Sequence, residues 1–382
     1  MRKVYSIADN IVSPLGMESS ANWDNILKGV TGVKANNKPN ITLKNFYASL
    51  LEENDVDEAL NGYIEANIYT KLEKMFILSI SRAVKQCEVD LTSSSTLFIF
   101  SSTKGNIDIL DRTARTILLE ERANLMTMTK SVAGFFRNPN KPIVISNACV
   151  SGVLAIIIGS YYIKEGLYNK VIVTGGDIIS EFTISGFNSL QALSQGNCRP
   201  FDKNRDGVNL GEACATVILS ATTQSNLFDI EIMGGATSDD ANHISGPSRT
   251  GDGLQLAINN ALLYSRMTSS DIGYISAHGT ATVYNDEMEA KAFNSCRLSE
   301  VPVNSFKGYF GHTLGAAGVL ETILAMWSVR EQKIVASKGY NEHGASLPLQ
   351  VVKENKEVSF TNCMKTASGF GGCNAALILS KK

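Results

Sequence analysis

An α/β protein of two similar halves is predicted by three features of this chain. Short uncharged β-branched runs alternate with segments whose apolar residues recur at helical spacing. The order strand, loop, helix, strand, loop, strand, long helix occurs twice, with a join near residue 225. Several of the strands run straight into glycine-rich turns, the place where open α/β sheets build their sites. The chain thus divides into 1–225 and 226–382.

In the first half, Val4 to Ala8 is a strand, followed by a turn-rich loop and a helix over Ser19 to Lys28, with Gly29 as its stop. Leu72, Met75, Phe76, Ile80, Ala83 and Val84 predict a helix from Tyr69 to Gln86, whose other face carries Lys71, Lys74, Arg82 and Lys85. That basic face is either simply solvated or a docking surface. Thr96 to Phe100 is a buried strand, with helices over Asp108 to Arg122 and Thr129 to Phe136. Ile143-Val144-Ile145 then forms the strand on which the site depends, because the spacing changes at Cys149 to the helical pattern Val153, Leu154, Ile157, Ile158, Tyr161. Lys170 to Thr174 and Ala215 to Ser220 are strands flanking an irregular loop over Ser189 to Asp206. The second half repeats the plan: Ile230 to Met233, Ile272 to Ser276 and Val301 to Phe306 are strands, and Leu254 to Tyr264, Asp286 to Asn294 and an amphipathic Gly311 to Val329 are helices.

Composition narrows the function classes. Of 382 residues, 44% are apolar and 19% charged, and the net charge of −2 gives no global attraction to nucleic acid or anionic lipid. Seven cysteines scattered without paired spacing argue against a disulfide framework and for a reducing compartment, so a cytoplasmic protein is expected. The N-terminus MRKVYSIADN has no apolar signal core, and no uncharged run approaches the ~20 residues of a membrane span. No cluster has zinc spacing and no GxxxxGK[ST] phosphate loop occurs, so neither a metal nor a nucleotide cofactor is expected.

The residues with chemistry stand at strand ends. Cys149 falls where strand becomes helix, where unpaired N–H groups and the macrodipole favour a thiolate near neutral pH; the alternative is a small apolar residue packed under the helix. His278 in Ala277-His278-Gly279-Thr280 and His312 in Gly311-His312-Thr313 follow strands in the second half, although each alone could be structural. His312 is expected near a helix's first turn, where the dipole discourages protonation. Lys307 flanks the same cleft and is expected to pair with Asp286 or Glu289. The loop Ser368-Gly369-Phe370-Gly371-Gly372-Cys373-Asn374 places N–H groups inward, as an oxyanion hole needs.

These islands together resemble the β-ketoacyl-acyl carrier protein synthases of fatty acid and polyketide synthesis. The resemblance runs through NACVSG at 147–152, RPFDKNRDG at 199–207 with Leu210-Gly211-Glu212, SDDANH at 238–243, AHGTATVYNDEMEA at 277–290, NSFKGYFGHTLGAAG at 304–318 and GFGGCNA at 369–375. It implies the thiolase fold, with a layered αβαβα core, and an acyltransferase of the elongating branch. By the same resemblance Cys149 is the nucleophile, His278 and His312 bind the malonyl thioester carbonyl, and Lys307 and Glu289 support them. Thr280, Thr282, Asp286 and Gly371 belong to the substrate-binding set, and Phe370 supplies an oxyanion-hole N–H and gates the acyl pocket. No cofactor is implied beyond the phosphopantetheine arm of acyl carrier protein that carries the malonyl and acyl thioesters. The implied assembly is a homodimer or a heterodimer with a ketosynthase-like subunit. The alternatives are a partner subunit of a heteromeric ketosynthase assembly and a CoA-dependent thiolase-type acyltransferase, for which Cys373 would be the second cysteine. Ser368, Cys373, Val208-Asn209 and Ala213-Cys214 depart from the family pattern, and the short chain implies trimmed surface loops.

Overall fold

Eleven strands form one continuous sheet in the computed structural model, which describes residues 2–38, 41–61, 68–111, 120–224, 230–240 and 246–382. They are β1 (Tyr5–Val12), β2 (Thr96–Ser101), β3 (Ile143–Ile145), β4 (Lys170–Asp177), β5 (Ala213–Ser220), β6 (Ile230–Asp239), β7 (Tyr274–Ser276), β8 (Pro302–Asn304), β9 (Gln350–Val351), β10 (Asn362–Ser368) and β11 (Cys373–Lys381). Their order across the sheet is β9-β8-β7-β10-β11-β6-β1-β5-β4-β2-β3. Counted outward from the centre, and with the two-residue β9 set aside, both halves run first, last, fourth, second, third. Only two residue pairs join them, Tyr5 to Glu231 and Ser6 to Ile230. The expected join falls on 225–229, outside the described residues.

Among the described residues, the helices of nine or more residues are α1 (Ser19–Leu27), α2 (Lys71–Val84), α3 (Leu125–Phe135), α4 (Ser151–Lys164), α5 (Glu181–Ser189), α6 (Asp252–Ser265), α7 (Val283–Ser295) and α8 (Ala317–Glu331). Apolar side chains of α2 and α3 pack on one face of the first half-sheet through Phe76, Val132, Phe98 and Phe100. Those of α6 and α7 cover the second half-sheet through Ile258, Phe293, Ile275 and Ile378. Between the half-sheets lie α4 and α8, in a cluster holding Val153, Ile156, Val319 and Ile323. The result is the layered α/β core of the thiolase fold.

This central position explains a departure from expectation: α8 is not amphipathic, because all but three of its fifteen residues are buried. Its crossing with α4 is close. A Cβ on Gly152 would stand 2.6 Å from the Val319 nitrogen, and one on Gly318 would stand 2.3 Å from the Val153 nitrogen.

Other differences are local. The helix expected over Asp108 to Arg122 is represented by short 3-10 turns at Ile107–Leu110 and Glu120–Ala123, and 112–119 lie outside the described residues. Helix α5 was not anticipated. The basic face of α2 is largely neutralised within the protein: Lys71 pairs with buried Glu212 at 2.5 Å, Lys74 with Glu53 and Asp57 at 2.9 and 2.7 Å, and Arg82 with Glu18 at 3.2 Å.

Candidate active site

Cys149 sits on a sharp elbow between β3 and α4, and the elbow depends on Ala148 adopting φ +43°. Ser151 holds the bend: its hydroxyl accepts the Asn147 N–H at 2.8 Å and donates to the Ala148 carbonyl at 2.6 Å. The helix itself begins at Ser151, so Cys149 precedes it by two residues rather than lying in its first turn. The expected low-pKa thiolate is not what this environment produces. With Cys149 only 7% exposed, burial pushes its thiol up to about 11, partly offset by the charges of Lys307 and Lys104 and by the nearby Phe370 N–H.

His278 follows β7 directly. The Glu289 carboxylate accepts the His278 N–H at 2.8 Å and the Gly279 N–H at 2.7 Å, and also the Asn285 amide at 2.9 Å. Glu289 therefore braces the backbone of the loop. Asp286 does the same from one turn earlier on α7, accepting the Phe201 N–H at 2.7 Å and the Ala281 N–H at 3.2 Å. Asp286 is fully buried and is not among the residues that line the cavity. The 199–207 island is accounted for here, since its Phe201 and Arg205 are the residues that meet Asp286.

His312 is held across the two halves. Its N–H donates to the Asn209 carbonyl at 2.6 Å and its carbonyl accepts the Gly211 N–H at 3.0 Å, so the segment before β5 positions a residue of the second half. Asp177, at the end of β4, accepts the Gly315 N–H at 2.7 Å from the same loop. Helix α8 begins five residues after His312, with a 3-10 turn at Leu314–Ala316 between them. Burial first, then the charge of Lys307, holds both histidines well below the usual imidazole range. Among the described residues, neither ring nitrogen of His312 has a hydrogen-bond partner.

Lys307 does not pair with Asp286 or Glu289. Its ammonium meets Glu321 of α8 at 2.8 Å, the His278 carbonyl at 2.5 Å and His278 Nδ1 at 3.3 Å. The other Glu321 oxygen meets the fully buried Lys365 of β10 at 2.6 Å. Burial would raise the Glu321 carboxyl, yet the two ammonium groups hold it below the usual range. Glu321 and Lys365 are the site residues missed from sequence. Their signal was present as a lone carboxylate in AGVLETILAMW and a lone cation in NCMKTAS.

These elements bring Cys149 Sγ and one ring nitrogen each of His278 and His312 within 4.8 Å of one another. The two rings lie edge to face with centroids 5.2 Å apart. The cluster forms the base of a cavity of about 330 Å³ whose walls include Phe187, Val208, Thr280, Thr282 and Phe370. Thr280 and Thr282 share a hydroxyl hydrogen bond of 2.8 Å. Phe370 packs on Phe187 at 5.6 Å, whereas Gly371 faces a separate depression beside Asn147 and Asp239. The gate loop is tied by its two unusual residues: Cys373 donates to the Phe370 carbonyl at 3.3 Å, and Ser368 to Asn374 at 2.8 Å.

A thiol and two imidazoles are also donors that zinc accepts, and among the described residues this is the one group of three placed to hold an ion. A larger cavity of about 650 Å³ lies against Asp9, Arg82, Trp327 and Arg330, with no cysteine or histidine in its lining.

Fold and site together define an acyltransferase of the thiolase fold. The chain belongs to the β-ketoacyl synthase family: its residues 130–225 match the N-terminal domain of that family and 230–341 the C-terminal domain. Similar proteins include 3-oxoacyl-[acyl-carrier-protein] synthase 2 of Staphylococcus aureus strain COL, 27% identical over 100% of this chain and 98% of the relative. Another is the tetracenomycin polyketide synthase ketoacyl synthase alpha subunit of Streptomyces glaucescens, 34% identical over 62% of this chain and 59% of its own. Among solved structures, the ketosynthase ApeO in complex with its chain length factor ApeC from Xenorhabdus doucetiae aligns with a TM-score of 0.86 at 25% identity, covering 100% and 98% of the chains. The ishigamide ketosynthase/chain length factor shares the fold with a TM-score of 0.90 at 23% identity, covering 100% and 99%.

Proposed function

We propose that this chain is a β-ketoacyl-acyl carrier protein synthase that joins an acyl group held on Cys149 to malonyl-acyl carrier protein with loss of carbon dioxide. The observation that carries this is the convergence of one sulfur and two imidazoles within 4.8 Å at the base of a single cavity. In the first step Cys149 sulfur attacks the carbonyl of a carrier-bound thioester. The bond to the carrier's sulfur breaks, and the departing thiol takes up the proton that Cys149 loses. The oxyanion formed in passing is held by the backbone N–H groups of Cys149 and Phe370.

In the second step the malonyl carboxylate leaves as carbon dioxide, and its bonding electrons become an enolate. Lys307 offers its ammonium to His278 Nδ1 at 3.3 Å, which leaves the ring proton on Nε2. That N–H, together with one from neutral His312, holds the enolate oxygen. The enolate carbon then bonds to the thioester carbon, and Cys149 sulfur departs as a thiolate that takes a proton from solvent water to regenerate the thiol. Thr280 and Thr282 line the path of the phosphopantetheine arm.

The order of elements and the placement of Cys149 against the two histidines support two functional halves, 1–225 and 226–382. No cofactor other than the carrier's arm enters this scheme, and the seven free cysteines support a reducing, cytoplasmic location. We also infer a partner of the same fold, either a second copy or a chain-length-factor-like subunit. The half-buried strand β3 pairs only with β2 among the described residues and leaves an edge for it, and similar solved structures are ketosynthase and chain length factor complexes.

Native mass spectrometry after incubation with acyl-carrier protein tests both points at once. One acyl mass per copy of this chain should appear on a two-chain species, and Cys149→Ala should abolish it. His312→Ala should keep the acyl mass but lose carbon dioxide release from malonyl-carrier. An unacylated wild-type chain, or decarboxylation intact in His312→Ala, would overturn the assignment.

A further inference from the structure

The thiol at the base of the cavity can be served only by a slender arm, so the globular carrier must rest on the cavity's rim. The composition of that rim is unusual. Tyr284 is 78% exposed, Val283 52% and Leu190 47%, and all three line the cavity that ends at Cys149. Lone exposed apolar side chains are ordinary, but a group of them around one opening marks an interaction site. No lysine or arginine lines this cavity among the described residues; its one charged side chain is Asp206, which is occupied by Ser194 at 2.6 Å. The nearest alternative, the basic face of α2, is spent on internal pairs to Glu212, Glu53 and Asp57.

We propose that the carrier protein docks on Leu190, Val283 and Tyr284 through apolar side chains surrounding its arm, rather than through charge. This rests on the synthase function proposed above. The surface is split between the two halves, with Leu190 following α5 and Val283 and Tyr284 opening α7. A carrier seated there touches both sides of the opening, and its arm passes directly between Phe187 and Thr280 toward the sulfur. Tyrosine suits the centre of such a contact, because its ring buries large area at little entropic cost.

The test compares acyl groups offered on carrier protein with the same groups offered as short pantetheine thioesters, which have no globular part. Tyr284→Asp and Leu190→Asp should lower kcat/KM for the carrier substrate about tenfold relative to that for the short thioester, the loss expected when an interface anchor is removed. For the wild type, KM for the carrier should change less than about threefold between 50 and 500 mM salt, since apolar contacts are not screened. Equal losses on both substrates, a steep salt dependence, or a change in the number of chains per assembly in these variants would overturn the docking proposal. Failure of wild-type Cys149 to take an acyl group from either substrate would instead overturn the synthase function, and the docking proposal with it.

Discussion

At the scale of single residues, Cys149 must act as a nucleophile while its thiol is held near 11 by burial. Almost none of it is ionised at neutral pH, so reactivity comes from the site's donors meeting the charge as it forms, not from a standing thiolate. The alkylation rate of Cys149 by iodoacetamide should therefore still be rising beyond pH 9, followed as carbamidomethyl mass on the Cys149 peptide. A plateau at or below about pH 8.5, the ordinary thiol value, would show that the sulfur is not desolvated as described. The positions of Cys149, His278 and His312 after strands were legible because strand-end chemistry is a local pattern. The protonation of Cys149 was not, because it depends on how deeply the elbow is buried. Glu321 and Lys365 were equally hidden. A charged residue inside an apolar helix or strand announces burial, but its partner comes from another part of the chain, as Lys307 and Lys365 do for Glu321.

At the scale of elements, two glycines set the distance between α4 and α8, and this distance places Cys149 against His312. A methyl group added at Gly152 meets the backbone of Gly318 and Val319, at 2.8 and 2.6 Å, and backbone cannot rotate aside as a side chain can. Gly152→Ala should therefore cost about 1–3 kcal/mol of stability, the usual penalty for overpacking. It should also slow acylation of Cys149, because the helix that carries the elbow must shift. Unchanged thermal stability together with unchanged acylation would mean that the crossing has slack. Sequence patterning located seven of the longer helices, missed α5 and the helix at Glu53–Ala59, and misjudged where the last one begins. The helical spacing from Gly311 onward is genuine, yet Gly311 at φ +66° and Leu314 at φ +52° keep that stretch out of the α-helix until Ala317, with only a 3-10 turn at Leu314–Ala316 before it. Such conformations are imposed by tertiary contacts, here the hold of Asn209 and Gly211 on His312, and leave no trace in hydrophobic period.

At the scale of the whole molecule, the repeated element order predicts two halves, while the sheet, joined at its centre by two residue pairs among the described residues, was beyond reach of any periodicity. One consequence belongs to the folded molecule as a unit. His278 and His312 are kept neutral because both halves bury them, so their folded pKa values lie well below 6.5. The unfolded chain takes up protons at these positions as pH falls through 6.5, and the folded chain does not. The stability they confer is thus present above that pH and lost on acidification. Asp286 works in the opposite sense: burial raises its carboxyl to about 7, so the folded state binds a proton there that the unfolded state releases. The two effects partly cancel in the wild type, and a comparison isolates the imidazole. Between pH 6.5 and 5, the stability of the wild type relative to His312→Asn should fall by about 1.4 kcal/mol per pH unit, one proton's worth. Urea unfolding of both proteins across that range measures the difference directly. A difference that does not change with pH would mean that His312 titrates alike in the folded and unfolded chains, and so is not the desolvated, neutral hydrogen-bond donor that enolate stabilisation requires.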